Sequence, residues 1–261
     1  MRLARLAWLF FKVGSLNELQ YRANFFIQLL QSAVSVGVAL VVLSLVYSQT
    51  TELNGWNESE LLIVLGIQIL LGGVIRTTIQ PNMQRLMEDV RDGRLDFALT
   101  KPEDSQVLVS IRNVQIWRAV DVIAGAAVLA YGIDGLDAGV AIGDVLLFLG
   151  LLLLGAVTIY CFWLVIATLA FWIVNVWEII ELFDGIYQAG RWPTSIFPGW
   201  LRFGVTFIFP LAFAITVPAE AITSRLDWST VGIAVGFAVV LFAFTRWWWG
   251  FGLRRYSGAS A

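Results

Sequence analysis

The stretch NFFIQLLQSAVSVGVALVVLSLVY, residues 24–47, decides what kind of fold to expect. It holds no charged side chain and is built mostly from Val, Leu and Phe. At ~1.5 Å of rise per residue, a helix of this length crosses a ~30 Å hydrocarbon core with room for tilt. In lipid the backbone must satisfy its own hydrogen bonds, so helix is the form such a run takes.

The rest of the chain extends the pattern. Of its 261 residues, 59% are hydrophobic and 14% charged, against about 25% charged in an ordinary soluble domain. A soluble protein of this length needs far more polar surface. The sequence therefore reads as a single-domain, all-α polytopic membrane protein. Apolar runs at about 61–80, up to Tyr131, at 144–173 and at 229–249 read as further spans. The last ends in RWWWGFGLRR, an aromatic belt with basic anchors. Within residues 1–22, Leu3, Leu6, Leu9 and Phe10 share a helical face opposite Arg2, Arg5 and Lys12. That pattern predicts an amphipathic helix lying in the membrane interface.

Basic residues set the expected orientation. Four lie in the N-terminal segment: Arg2, Arg5, Lys12 and Arg22. Residues 76–118 carry Arg76, Arg85, Arg91, Arg94, Lys101, Arg112 and Arg118, and the C-terminal end carries Arg246, Arg254 and Arg255. Loops 48–60 and 134–143 have none. Both termini and the central loop are thus expected in the cytoplasm, which requires an even number of spans. Six fit. The fifth is either 201–217, which is short, or 174–192, which carries Glu178, Glu181 and Asp184. In the second case Pro193, Pro198, Pro210 and Pro218 break 193–222 into re-entrant helices on the outer side. The repeated proline breaks favour this second version, while the three acids count against it.

The chain has no His and one cysteine, Cys161, in an apolar run. That excludes an intrachain disulfide, a His/Cys metal cluster and a Ser–His–Asp set. No phosphate-cradling P-loop is present, and a net charge of -2 gives no attraction to nucleic acid. No catalytic or metal-ligating residue is expected. Among polar groups at membrane depth, Asp121 follows Arg118 by three residues, the spacing of an ion pair on one helical face. A structural pair is favoured there over a proton relay. Gln28 and Gln68 either line a path or join helices. GIAVG, Gly232–Gly236, has the spacing that lets helices approach closely.

One charge-dense segment interrupts this chain: LMEDVRDGRLDFALTKP, residues 86–102. Met83, Leu86, Met87 and Val90 recur at helical spacing, and Gly93 stops the helix. The segment reads as a compact docking knob. Its charge signs nearly balance, which suits a protein partner better than lipid headgroups.

Three stretches now carry a resemblance: NELQYRANFFIQLL at 17–30, MEDVRDGRLDFALTKP at 87–102 and RWPTSIFPGWLRFGVTFIFPLAFAITVPAEAI at 191–222. With the six-span pattern they resemble permease subunits of ABC-2-type ATP-binding-cassette exporters. The nearest branch is bacterial, with an acidic–Gly–Leu–Asp–Leu–Lys–Pro core after span two. The resemblance implies two permease subunits, identical or related, in the bacterial inner membrane, each served by a separate cytoplasmic ATPase. It makes 82–100 a coupling helix, with Met87, Glu88, Arg91, Asp92, Gly93, Leu95, Asp96, Leu99, Lys101 and Pro102 as the coupling residues. ATP and Mg2+ would sit on the ATPase, and this chain would bind no cofactor. It makes 193–222 the outer re-entrant segment and the N-terminal helix a connecting helix. The competing expectation is a proton-coupled secondary transporter using Asp121 or the Glu178–Glu181 pair. A membrane-embedded lipid enzyme is least supported, because the chain has no His.

Overall fold

The computed structural model describes residues 8–10, 12, 22–136, 139–173 and 177–256, the side chains of Arg22 and of 177–179 aside. The expected N-terminal interfacial helix lies almost wholly outside these residues. Within them the protein is helical, with one isolated β-bridge between Leu53 and Trp56. Five helices are long and apolar enough to cross a membrane. They are α1 (Arg22–Tyr47), α2 (Glu58–Arg91), α4 (Ile116–Asp134), α5 (Ile142–Phe171) and α9 (Trp228–Leu253). A short helix, α3 (Ser105–Ser110), precedes α4. Helix α6 (Trp177–Tyr187) follows α5, and α7 (Gly199–Ile208) and α8 (Ala212–Ile222) form a bent pair before α9.

Helix α2 starts at a capping box. The Asn57 side chain accepts from the Glu60 amide at 2.9 Å, and the Glu60 carboxylate accepts from the Asn57 amide at 2.8 Å. The helix does not stop at residue 80. It passes through a π-helical turn, Ile75–Ile79, and runs on to Arg91. The first part of the segment 82–100 is thus continuous with the helix before it, up to Arg91. Pro81 explains how the chain continues. It lacks the N–H that would bond the Thr77 carbonyl, and the Gln115 amide takes that carbonyl from the side at 2.9 Å. The stop comes at Gly93, whose φ of 69° is strained for any residue with a side chain.

Helices α2 and α4 are antiparallel and touch backbone to backbone. A Cβ on Gly66 would lie 2.5 Å from the Leu129 nitrogen, and one on Gly73 2.6 Å from the Val122 nitrogen. From the other side, a Cβ on Gly125 would collide with the Leu70 nitrogen, and one on Gly132 would lie 2.9 Å from the Ile63 nitrogen. Each helix supplies two glycines seven residues apart, and each glycine receives a large residue of its neighbour. The GIAVG stretch does not act this way: a Cβ at Gly232 or Gly236 meets nothing within 4 Å.

Neither segment proposed for span five is a single straight helix of membrane length. Residues 201–217 are not a straight span, because α7 and α8 bend by 79° about Phe209–Leu211, where Pro210 sits. The tip of this hairpin meets the middle of α5, with Ala214 packed on Gly155. Helix α6 has 11 residues, roughly 17 Å of rise and short of a full span. The chain nevertheless follows α2 from Gln80 back to the loop before its first turn. Gln80 bonds Asp184 at 3.4 Å, the Tyr187 hydroxyl donates to the Gln68 carbonyl at 2.7 Å, and Asn54 donates to the Ser195 carbonyl at 2.9 Å.

Gly125→Ala should lower the stability of the purified protein by about 1–3 kcal/mol, the usual effect of overpacking. Gly236→Ala should leave it unchanged. Thermal melts in neutral detergent compare the two; equal melts would mean that α2 and α4 are not held by this contact.

Candidate functional site

The charged segment is organised by one residue, Asp89, which is 2% exposed. Its carboxylate meets Arg112 at 3.0 Å, Arg85 at 3.2 Å and Arg94 at 3.4 Å. Its carbonyl accepts the amides of Arg94 and Leu95 at 2.8 and 3.1 Å. Asp89 thus folds the turn after Gly93 back onto α2 and pins the strap 111–115. Asn82, also buried, holds the same strap. Its side chain donates to the Thr78 carbonyl at 2.6 Å and the Asn113 carbonyl at 2.7 Å, and accepts the Asn113 amide at 2.8 Å.

The expected coupling residues divide by burial. Met87 and Leu95 lie in the core and support the segment from below. As apolar side chains on and next to α2, they pack inward. Arg91, Asp92, Lys101 and Pro102 are exposed, and Glu88, Gly93, Asp96 and Leu99 are half-buried. Phe97 projects from the tip, 75% exposed. Arg91 donates to Asp92 at 3.1 Å and Arg94 reaches it at 2.9 Å. The Arg91 hydrogen bond holds the Asp92 carboxyl below the usual carboxylate range, so the ridge keeps both charge signs.

Three further links tie this end of the molecule together. Arg246 of α9 donates to Gln106 at 2.9 Å and to Asp104 at 2.8 Å. Asp104 also caps α3 through the amides of Gln106 and Val107. The Ser110 and Tyr160 hydroxyls share a hydrogen bond of 2.8 Å.

At membrane depth, Asp121 is paired, but not with Arg118. Arg76 holds it, with Nη2 at 3.0 Å and Nε at 3.2 Å from one carboxylate oxygen. Arg118 instead donates to Gln115 at 2.6 Å. The expected i,i+3 pairing gives way to competing partners: Gln115 takes the Arg118 guanidinium, and Arg76 reaches Asp121 from α2. Gln28 and Arg118 line one pocket of about 270 Å3 with Asn24, Gln115 and Trp117. Gln68 and Asp121 line another, of about 40 Å3, against α1. The four expected path residues therefore fall in two cavities along the α1 side of α2 and α4.

At the opposite end, Arg225 donates to both carboxylate oxygens of Glu60, at 2.7 and 2.8 Å, and stacks over Trp56. Trp56 donates to Ser195 and its carbonyl accepts from Tyr47 at 2.7 Å. The loops that precede α2, α7 and α9 are thus joined there. Pro193 and Pro198 flank the bonded turn Thr194–Ile196, and Pro218 starts the regular part of α8. Glu181 is exposed, and the Glu178 side chain lies outside the described residues.

Membrane-length helices, polar cavities between them and a charged ridge beyond the apolar zone define a multi-pass membrane protein built for transport. The model of the ABC-2 family transporter protein matches residues 33–260, and the chain belongs to that family. It is a transporter permease. Searches among curated proteins and among solved structures found no match.

Asp89→Asn removes the charge shared by three arginines. Breaking a fully buried pair costs about 3–5 kcal/mol; here Arg85 and Arg94 are partly in water, so about 2–3 kcal/mol is expected. Hydrogen exchange should speed up across 92–118 and stay unchanged in α5. Equal protection in variant and wild type would remove Asp89 from its organising role.

Acid should act on the α3–α9 link. Arg246 holds the Asp104 carboxyl below its ordinary range, helped by the amides of Val107 and Gln106 and opposed by burial. A depressed pKa stabilises the fold above the ordinary Asp value, and that stability is lost as pH falls through the depressed one. Asp104→Asn should therefore flatten the acid limb of a melting-temperature profile.

Proposed function

We propose that this permease is the membrane subunit of an ATP-driven exporter and that residues 85–102 dock a separate cytoplasmic ATPase subunit. The observation that carries this is the exposed ridge of Arg91, Asp92, Phe97 and Lys101, held on the buried Asp89 carboxylate, which meets three arginines. A solvent-exposed aromatic among mixed charges suits a protein groove: the ring supplies apolar contact and the charges set register. The ridge has no catalytic task. ATP and Mg2+ belong to the partner, whose closure displaces the ridge and biases the packing of the spans behind it.

Basic residues concentrate at the ridge end, which supports placing that end and both termini in the cytoplasm of a bacterial inner membrane. Residues 177–195 then make the fifth of six crossings, as a short helix followed by a turn, and α7–α8 form the outer re-entrant segment. A second permease subunit, a copy or a relative, completes the path against the apolar faces of α1 and α9. Proton coupling through Asp121 is disfavoured, because Arg76 holds that carboxylate as its counter-ion.

Affinity purification of the tagged permease from its native membrane should recover an ATPase in near-equimolar amount. Phe97→Ser should cut that recovery about tenfold, the loss of a ~1.4 kcal/mol contact, with the permease melting temperature unchanged. Recovery of the permease without any ATPase overturns the proposal. So does full recovery with a Phe97→Ser, Asp92→Arg double variant.

A further inference from the structure

Two described arginines hold buried nitrogens without a partner, but Arg112 meets Asp89 through its third nitrogen, which leaves Arg191 as the one with no ion pair. Arg191 closes the 3₁₀ turn Gln188–Arg191 after α6. Its Nε is shut off from solvent and has no hydrogen-bond partner. Among the described residues it makes no ion pair. The one carboxylate in the same cavity, Asp121, is held by Arg76.

Arg191 faces the cavity of about 40 Å3 between α1 and α2, together with Ser32, Gln68, Gln188 and the Arg76–Asp121 pair. Ser32 is 4% exposed, and its hydroxyl also lacks a partner. Two arginines against one aspartate leave the cavity with an excess positive charge. An uncompensated cation at membrane depth is costly, and a small anion would complete both Arg191 and Ser32.

A second cavity adjoins the first. It measures about 70 Å3, shares Arg191 and Ala39 with the first, and is otherwise lined by Val42, Leu43, Leu65 and Trp192. The polar and apolar spaces thus follow one another along the same groove beside α1. That helix exposes most of its surface in the single chain, including Phe26, Leu30 and Val34, so in the isolated permease the groove opens onto apolar surroundings. The polar space has room for the outer oxygens of an anionic group and the apolar one for the first few carbons of a tail, with the remainder lying along α1.

We propose that Arg191, Ser32, Gln68 and Gln188 bind the anionic head of an amphiphile, a phosphate or carboxylate carried on an apolar tail. Such amphiphiles are then the class of cargo; that last step rests on the transporter reading, whereas the binding site does not. The site acts by charge and hydrogen bonding alone, and no covalent step is involved.

The test uses the purified full-length permease without its ATPase, in neutral detergent, with decyl phosphate as probe. Decyl phosphate should raise the melting temperature saturably. Decyltrimethylammonium, of opposite charge, and inorganic phosphate, without a tail, should not. Arg191→Gln should weaken decyl phosphate binding about tenfold, and Arg191→Lys should retain most of it. If Arg191→Gln does not fold, Ser32→Ala and Gln68→Leu carry the test, each with a loss of a few fold. Equal stabilisation by the cationic probe, or unchanged affinity in these variants, overturns the site. Nanodiscs distinguish the sources. Competition by phosphatidylglycerol over phosphatidylcholine identifies a lipid headgroup as the occupant, and absence of competition identifies a non-lipid amphiphile; both outcomes keep the anion site. Loss of binding leaves the ATPase partnership untouched, and failure to recover an ATPase leaves the site untouched.

Discussion

Backbone contact between α2 and α4 is the constraint on which the rest of this structure hangs. Lipid tails are as apolar as leucine, so burying Leu against Leu gives membrane helices little reason to associate. Close packing has to supply the attraction. Gly66, Gly73, Gly125 and Gly132 let the two axes come close enough for side chains to meet bare backbone. This fixes both the position and the rotation of α2. At 34 residues, α2 is roughly 51 Å long and outreaches the ~30 Å hydrocarbon core. Whatever its aqueous end does is therefore done by an element anchored in the membrane.

That same helix carries an ionic contact at each depth. Glu60 meets Arg225 at one end, Arg76 meets Asp121 within the membrane zone, and Asp89 gathers three arginines at the other end. Each pair joins α2 to a different part of the chain: the loop before α9, the first turns of α4, and the strap before it. Pairing reduces the cost of holding charge away from water, and a pair with only one geometry also specifies register. The rotation of α2 set by its glycines thus decides which partners its charged residues can reach.

Much of this was legible from the sequence, and the failures have physical causes. Apolar runs located the spans, because lipid demands long uncharged helices. Gly93 was read correctly as a stop, since a left-handed turn after an amphipathic run favours glycine. The broken character of 193–222 showed in its prolines. Asp89 was missed among seven charged neighbours, because a sequence does not label the one carboxylate that is buried. A signal was present: Asn82 and Asp89 lie seven apart beside Leu86, at the edge of the apolar stripe. The close-packed glycines were missed for a related reason. A spacing of four picks out Gly232 and Gly236, which face open space, while the glycines in contact are spaced by seven on two different helices. Arg118 and Asp121 have helical spacing, but Gln115 and Arg76 take them as partners instead.

The π turn at Ile75–Ile79 gives the molecule a mechanical character of its own. An extra residue in the turn breaks the axial ladder of hydrogen bonds, and the Thr77 carbonyl is tied sideways to Gln115. Beyond it, Gln80–Arg91 is a stiff rod of 12 residues, roughly 18 Å long. Force applied across the tip of such a rod arrives at its base as torque. The base contains Arg76. A sideways load on the ridge would thereby reach Arg76, which lines a charged cavity among the spans, without the rod itself having to bend.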